Sequence, residues 1–121
     1  MKNQLKNRTK KFAVDIINFS ELLPNKQVGW TISNQILRSA TSVGANYRAV
    51  CRAKSDRDFI SKMETVIEEA DETLFWLEII EEANILNKKS QLQELKKEAD
   101  ELVAIFVSSV ITIKKRLNKK S

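Results

Sequence analysis

Three arginines recur on one side of a helical segment in the middle of the chain, at Arg38, Arg48 and Arg52. At 100° per residue, their side chains fall within about 80° of one another. Lys54 follows them, and no acidic residue occurs between residues 26 and 54. A row of guanidinium groups binds either phosphates, with release of counterions, or carboxylates, through paired hydrogen bonds. The first chemistry that the sequence indicates is therefore recognition of negative charge.

A second basic cluster lies near the end of the chain, at Lys114, Lys115 and Arg116. The helix dipole favours cations near the carboxyl end of a helix, which explains this cluster without any ligand. The same side chains would also strengthen contact with nucleic acid, without preference for a base sequence. The two interpretations are compatible.

Carboxylates concentrate in the segment 55–87, which carries ten acidic and two basic residues. Glu69 and Glu72 lie on the flank of the expected third helix, beside its apolar stripe. They are therefore candidates to pair with the arginines of the second helix. The alternative is that these arginines face a phosphate backbone. The sequence does not decide between carboxylate and phosphate partners for these arginines.

Residues that catalyse reactions are scarce in this chain. It has no histidine, which removes the commonest general base and the commonest metal ligand. It has no glycine-rich phosphate loop, and its single cysteine, Cys51, is more typical of a packed thiol than of a nucleophile. We therefore expect no catalytic residue, no metal, no cofactor and no enzymatic activity.

Four amphipathic helices must position these charges. Two glycines and one proline in 121 residues leave few breaks. Apolar residues recur at spacings of three, four and seven over about 3–23, 27–53, 56–84 and 90–117. Helices joined by short loops pack as antiparallel neighbours. The prediction is an all-α single domain over residues 1–121, an antiparallel up-down-up-down four-helix bundle.

Local signals refine this prediction. Pro24 stops the first helix, and Ser55 and Ser90 are expected to cap the third and fourth. Gly44 lies inside the second helix, where glycine costs roughly 1 kcal/mol relative to alanine. We therefore expect another backbone to approach closely at Gly44.

Several apolar residues lie off the four stripes: Val14, Ile17, Trp30, Leu37, Trp76, Ile105 and Ile111. Grouped on a surface, they would form a patch typical of a subunit interface, so we expect a homo-oligomer. The chain starts without an apolar leader and has no apolar run of roughly 20 residues. We expect a cytoplasmic protein that makes no contact with a membrane.

The middle of the chain resembles a known family. The segment from Arg38 to Arg48 reads RSATSVGANYR, and CRAKS follows at 51–55. DFISK at 58–62, EADET at 69–73 and WLE at 76–78 follow at matching intervals. Together they are similar to the four-helix-bundle family of bacterial 23S rRNA-intervening sequence proteins. The resemblance covers about residues 35–80 specifically and the ends of the chain only in length and apolar pattern.

The resemblance implies an antiparallel bundle, commonly a pentameric ring, often encoded within or near ribosomal RNA insertions. A related branch contains the accessory protein of diversity-generating retroelements, whose basic ring binds nucleic acid and a reverse transcriptase. The polar residues that the resemblance carries to this chain are Arg38, Asn46, Arg48, Arg52, Asp58, Lys62, Glu69 and Glu72.

The sequence, with a net charge of +5 and an isoelectric point near 9.4, leads to one functional hypothesis. We expect a non-enzymatic, oligomeric bundle that binds RNA or DNA with low sequence specificity through its basic surface. The alternative is a protein-interaction scaffold whose arginines form internal or inter-subunit ion pairs and whose partner is another protein.

Overall fold

A computed structural model of the chain describes residues 2–120 and contains four α-helices. They are α1 (Lys2–Ser20), α2 (Gln27–Cys51), α3 (Asp56–Glu82) and α4 (Lys89–Lys120). No β-strand occurs in this described range. The helices pack side by side around one core, which confirms the predicted four-helix bundle.

The starts of α2 and α3 are as predicted, and the other helix boundaries differ from the predicted ones by one to three residues. α1 ends at Ser20 rather than at 23, since the N–H of Leu23 already bonds to the Ser20 carbonyl in a turn. α2 ends at Cys51 and α3 at Glu82, two residues earlier than expected in each case. Shortly after α3, Asn84 takes a left-handed conformation with a φ of 52°, which an α-helix cannot continue through.

The two predicted serine caps have opposite outcomes. Ser55 caps α3, as expected, because its hydroxyl accepts a hydrogen bond of 3.0 Å from the backbone N–H of Asp58. Ser90 was the wrong cap for α4, since that helix already starts at Lys89 and therefore contains Ser90. α4 also continues to Lys120, beyond the predicted end at 117.

The buried side chains are those of the four apolar stripes. The largest fully buried ones include Phe12 and Ile16 of α1, Ile36 of α2, Leu77 of α3 and Phe106 of α4. Across the core, the rings of Tyr47 and Phe106 stack with their centres 5.8 Å apart. Burial of these stripes is what holds the four helices together, since the surface they remove from water is almost entirely apolar.

Three ion pairs show how the residues of α3 align with those of α4. Asp56 pairs with Arg116, Glu64 with Lys114 and Glu81 with Lys96. Residue numbers fall along α4 as they rise along α3, which is the order that antiparallel neighbours produce. α1 packs mainly against α2 and only weakly against α4.

Both glycines mark close approaches between backbone segments. A Cβ atom on Gly44 would lie 3.5 Å from the Thr9 carbonyl oxygen of α1, which confirms the expected close approach at this position. Gly29 is more constrained, since a Cβ atom there would lie 1.8 Å from the carbonyl oxygen of Pro24. Gly29 was not singled out from the sequence, yet the turn between α1 and α2 cannot close without it.

Candidate nucleic-acid interface

A shallow groove of about 520 Å³ between α1 and α2 carries four basic side chains. Its rim consists of Lys6 and Lys10 from α1 with Arg48 and Arg52 from α2. The floor consists of small residues: Ala13, Thr41, Gly44, Ala45 and Ala49. We call this surface the basic groove. No acidic residue lines it.

The local sequence explains the shape of the basic groove. On each helix the two cations are four residues apart, which places them on one face at a separation of about 6 Å along the helix axis. The backbones of α1 and α2 pass close to each other at Gly44, so the two pairs of cations lie on either side of a narrow floor. A large side chain at Gly44 or Ala45 would fill this floor.

The cations of the basic groove have no internal counter-charge. Among the described residues, none of the four forms an ion pair. The nearest acids in sequence to Arg52 are engaged elsewhere. Asp56 pairs with Arg116, and both carboxylate oxygens of Asp58 accept bonds of 2.7 Å from Lys62. Lys62, and then the Lys54 backbone N–H, lower the pKa of Asp58 below its ordinary value.

Arg38 behaves differently from the other two arginines of α2. Its guanidinium donates to Glu69 at 3.2 Å and also to Glu72. The indole N–H of Trp76 donates to the same Glu72 carboxylate at 3.1 Å. Arg38 and then Trp76 lower the pKa of Glu72. For Arg38 the ion-pair interpretation is therefore correct, and Arg38 does not belong to the basic groove.

The C-terminal basic cluster is also largely paired. Arg116 binds both carboxylate oxygens of Asp56, at 3.1 and 2.7 Å, and Lys114 lies 3.7 Å from Glu64. Lys115 is exposed and forms no ion pair with another described residue. The cluster thus ties the end of α4 to the start of α3, in addition to any interaction with the helix dipole.

The remaining candidates from the sequence lie outside the basic groove. Lys54 is exposed in the loop after α2, where its backbone N–H donates to Asp58 at 3.0 Å. Cys51 is half-buried beside Tyr47. Burial, and then Cys51, raise the pKa of Tyr47 to about 12. In residues 2–120, no three potential ligands among His, Cys, Asp and Glu converge on a metal position.

Lys6 and Lys10 were not predicted from the sequence. Their spacing of four residues was visible, but α1 also carries Asp15, and only the packing at Gly44 shows that these lysines face Arg48 and Arg52. In the described range, no helix is long and apolar enough to cross a membrane.

Comparison with known proteins identifies the family. The family profile described as "23S rRNA-intervening sequence protein" matches residues 1–108 of the chain. The chain belongs to the 23S rRNA-intervening sequence protein family. Every residue of the basic groove lies within the part that matches this family, whereas Lys114, Lys115 and Arg116 lie beyond it.

One solved structure gives an independent comparison. The chain is 35% identical to a protein of unknown function from the S23 ribosomal protein family of Bacteroides thetaiotaomicron, known from a crystal structure. The alignment covers 87% of this chain and 96% of that one, with a TM-score of 0.79. No curated protein matches the chain significantly.

Proposed function

We propose that this protein is a non-enzymatic, oligomeric bundle of the bacterial cytoplasm that binds RNA or DNA through its basic groove. The observation that carries the proposal is the set of four cations, Lys6, Lys10, Arg48 and Arg52, that form no ion pair with any other residue the structure describes. Cations held together without a counter-charge favour a polyanion, since each phosphate they neutralise releases a counterion. The resemblance to ring-forming relatives favours a pentamer as the assembled form.

The lining of the groove favours contact with the phosphate backbone over contact with bases. It contains no aromatic ring on which a base could stack and no asparagine or glutamine that could pair with a base edge. Thr41 is the one polar uncharged side chain of the floor. Phosphate contacts position a nucleic acid without reading its sequence. We therefore expect binding with little sequence specificity.

The number of cations sets the expected salt dependence. If all four engage phosphates, the logarithm of the binding constant falls with the logarithm of salt concentration with a slope of about −3.6 for duplex DNA or about −2.8 for a single strand. This slope can be measured by fluorescence anisotropy with a labelled structured RNA and a labelled single strand at several salt concentrations.

The decisive variant reverses two charges of the groove, as Arg48→Glu with Arg52→Glu. We expect a large loss of affinity and a salt slope that is shallower by about two. The matched control is Lys89→Glu with Lys97→Glu, which changes the net charge equally at exposed positions of α4 outside the groove. Equal losses in both double variants would show that only the net charge matters, and would contradict the proposal. Circular dichroism must show helical folding in both.

A second candidate function is a protein-interaction scaffold. It is favoured by the ion pairs that occupy Arg38 and Arg116, and by the exposed Phe75 on the acidic outer side of α3. In this alternative, a basic partner protein binds α3 and the arginines of α2 serve folding or assembly. Loss of folding in Arg48→Glu, comparable to that in Arg38→Glu, would support the scaffold and count against nucleic-acid binding.

A further inference from the structure

The first eleven residues of α2, 27–37, contain no charged side chain, in a protein of which 31% of the residues are charged. This half of α2 is not hidden, since Trp30 is 57% exposed and Asn34 is also exposed. Leu37 is only partly buried and does not pack against the core. An exposed helical surface of this length without a charge requires an explanation, because solvent-facing positions are ordinarily polar and charged.

The neighbouring side of α1 continues this surface. Val14 and Ile17 are 47% and 39% exposed. They follow Lys10 at spacings of four and seven residues and therefore extend along the helix from the rim of the basic groove. We call Val14, Ile17, Trp30, Asn34 and Leu37 the uncharged face. The outer side of the α1–α2 pair thus has a basic half and an uncharged half.

The most exposed residue of the uncharged face is held in place. The indole N–H of Trp30 donates a hydrogen bond of 3.0 Å to the side-chain oxygen of Asn25, in the turn before α2. This bond satisfies the polar atom of the side chain and leaves the ring surface available. An aromatic ring that is already ordered loses little conformational entropy on binding, and tryptophan is enriched at the centres of protein interfaces.

We propose that the uncharged face is the surface through which one copy of this chain binds a second copy. The inference rests on the oligomeric state in the proposed function and names the surface responsible for it. Two copies with a net charge of +5 each repel, and a contact between two neutral surfaces buries no unpaired charge. Depletion of charged residues is also the compositional mark of an interface core.

The basic groove begins where the uncharged face ends, so assembly through this face would keep the groove at the edge of the contact.

The test compares two double variants that each replace exposed apolar residues by glutamate. Ile17→Glu with Trp30→Glu places charges on the uncharged face, and Phe75→Glu with Ile111→Glu does the same at comparably exposed positions of α3 and α4. Molar mass is measured by sedimentation equilibrium, with circular dichroism as the folding control. We expect the native protein and the second variant to form a multiple of 13.9 kDa, and the first variant to sediment as a 13.9 kDa monomer.

The outcomes separate this inference from the proposed function. If the first variant stays assembled, or if only the second one dissociates, the uncharged face is not the interface, although the protein is still an oligomer. A native protein that is monomeric overturns both the inference and the oligomeric part of the proposed function. RNA binding is measured on the same samples. Its absence in an assembled native protein overturns nucleic-acid binding and leaves the interface intact.

Discussion

The hydroxyl group of Thr73 in α3 donates a hydrogen bond of 2.8 Å to the hydroxyl oxygen of Ser39 in α2, in the buried interior. The residues beside them in sequence, Arg38 and Glu72, pair at the surface next to this bond. Both interactions join α2 to α3 at the same level of the bundle. In this register Glu69 and Glu72 meet Arg38, and no acid of α3 pairs with Arg48 or Arg52.

The buried hydroxyl pair should contribute measurably to stability. We expect Thr73→Val and Ser39→Ala each to lower the free energy of unfolding by about 1 kcal/mol, since each leaves one buried hydroxyl with fewer partners. The double variant should lose less than the sum, because the second change removes the group that the first one left unpaired. Urea unfolding of the four proteins measures the coupling. Strict additivity would mean that this bond contributes nothing.

The two glycines should respond oppositely to alanine. Gly29→Ala places a Cβ atom 1.8 Å from the Pro24 carbonyl oxygen, so we expect a loss of about 3 kcal/mol or failure to fold. Gly44→Ala places it 3.5 Å from the Thr9 oxygen, an ordinary contact, and should gain up to about 1 kcal/mol from helix propensity. Thermal unfolding of both variants tests this prediction. A shift of both unfolding midpoints in the same direction would contradict it.

The Arg38–Glu72 pair should make part of the stability depend on pH. Its folded state holds the pKa of Glu72 below the ordinary value of 4.5. The contribution is therefore complete above that value and is lost as the pH falls through the folded-state pKa. The pair is exposed, so solvent screening keeps this contribution small. The difference in urea midpoint between the native protein and Glu72→Gln should be present at neutral pH and vanish in acid, with Glu68→Gln as control.

Tyr47 is the one tyrosine of the sequence, so ultraviolet titration of tyrosinate reports on it alone. Its pKa is raised from 10.0 to about 12 by burial and then by Cys51, which means that the fold favours the neutral phenol. The corresponding stability is complete below the ordinary value and is lost as the pH rises toward the raised one. Cys51→Ala should lower the titration midpoint only in part. A midpoint in the native protein equal to that in urea would contradict burial of the phenol.

The sequence was sufficient to predict the bundle because apolar stripes depend only on helical periodicity. It also predicted the cap at Ser55, because a cap is a local interaction between residues that are close in sequence. The helix ends were less predictable. Extending a helix by one residue and ending it in a turn, such as the one at Asn84, differ only slightly in free energy. Gly29 was missed because its constraint comes from the path of the chain at Pro24.

The sequence predicted that the candidate site contains arginines of α2, but it did not predict which residues belong to the site. Arg38, Arg48 and Arg52 share one side of α2, and nothing in their spacing separates the paired one from the two that line the groove. The register of α2 against α3 makes that distinction, and it depends on the buried contacts of the whole interface. Lys6 and Lys10 entered the site only through the packing of α1 on α2.

The concentration of acids on α3 makes the molecule a permanent electric dipole, since the other three helical regions each carry a net positive charge. In the field of a long anionic polymer such a dipole experiences a torque that turns α3 away from the polymer before any contact forms. Molecules that arrive already oriented need fewer collisions for each productive encounter. Each bound copy would then present its acidic helix outward, where the negative charge of the polymer beneath it is partly restored.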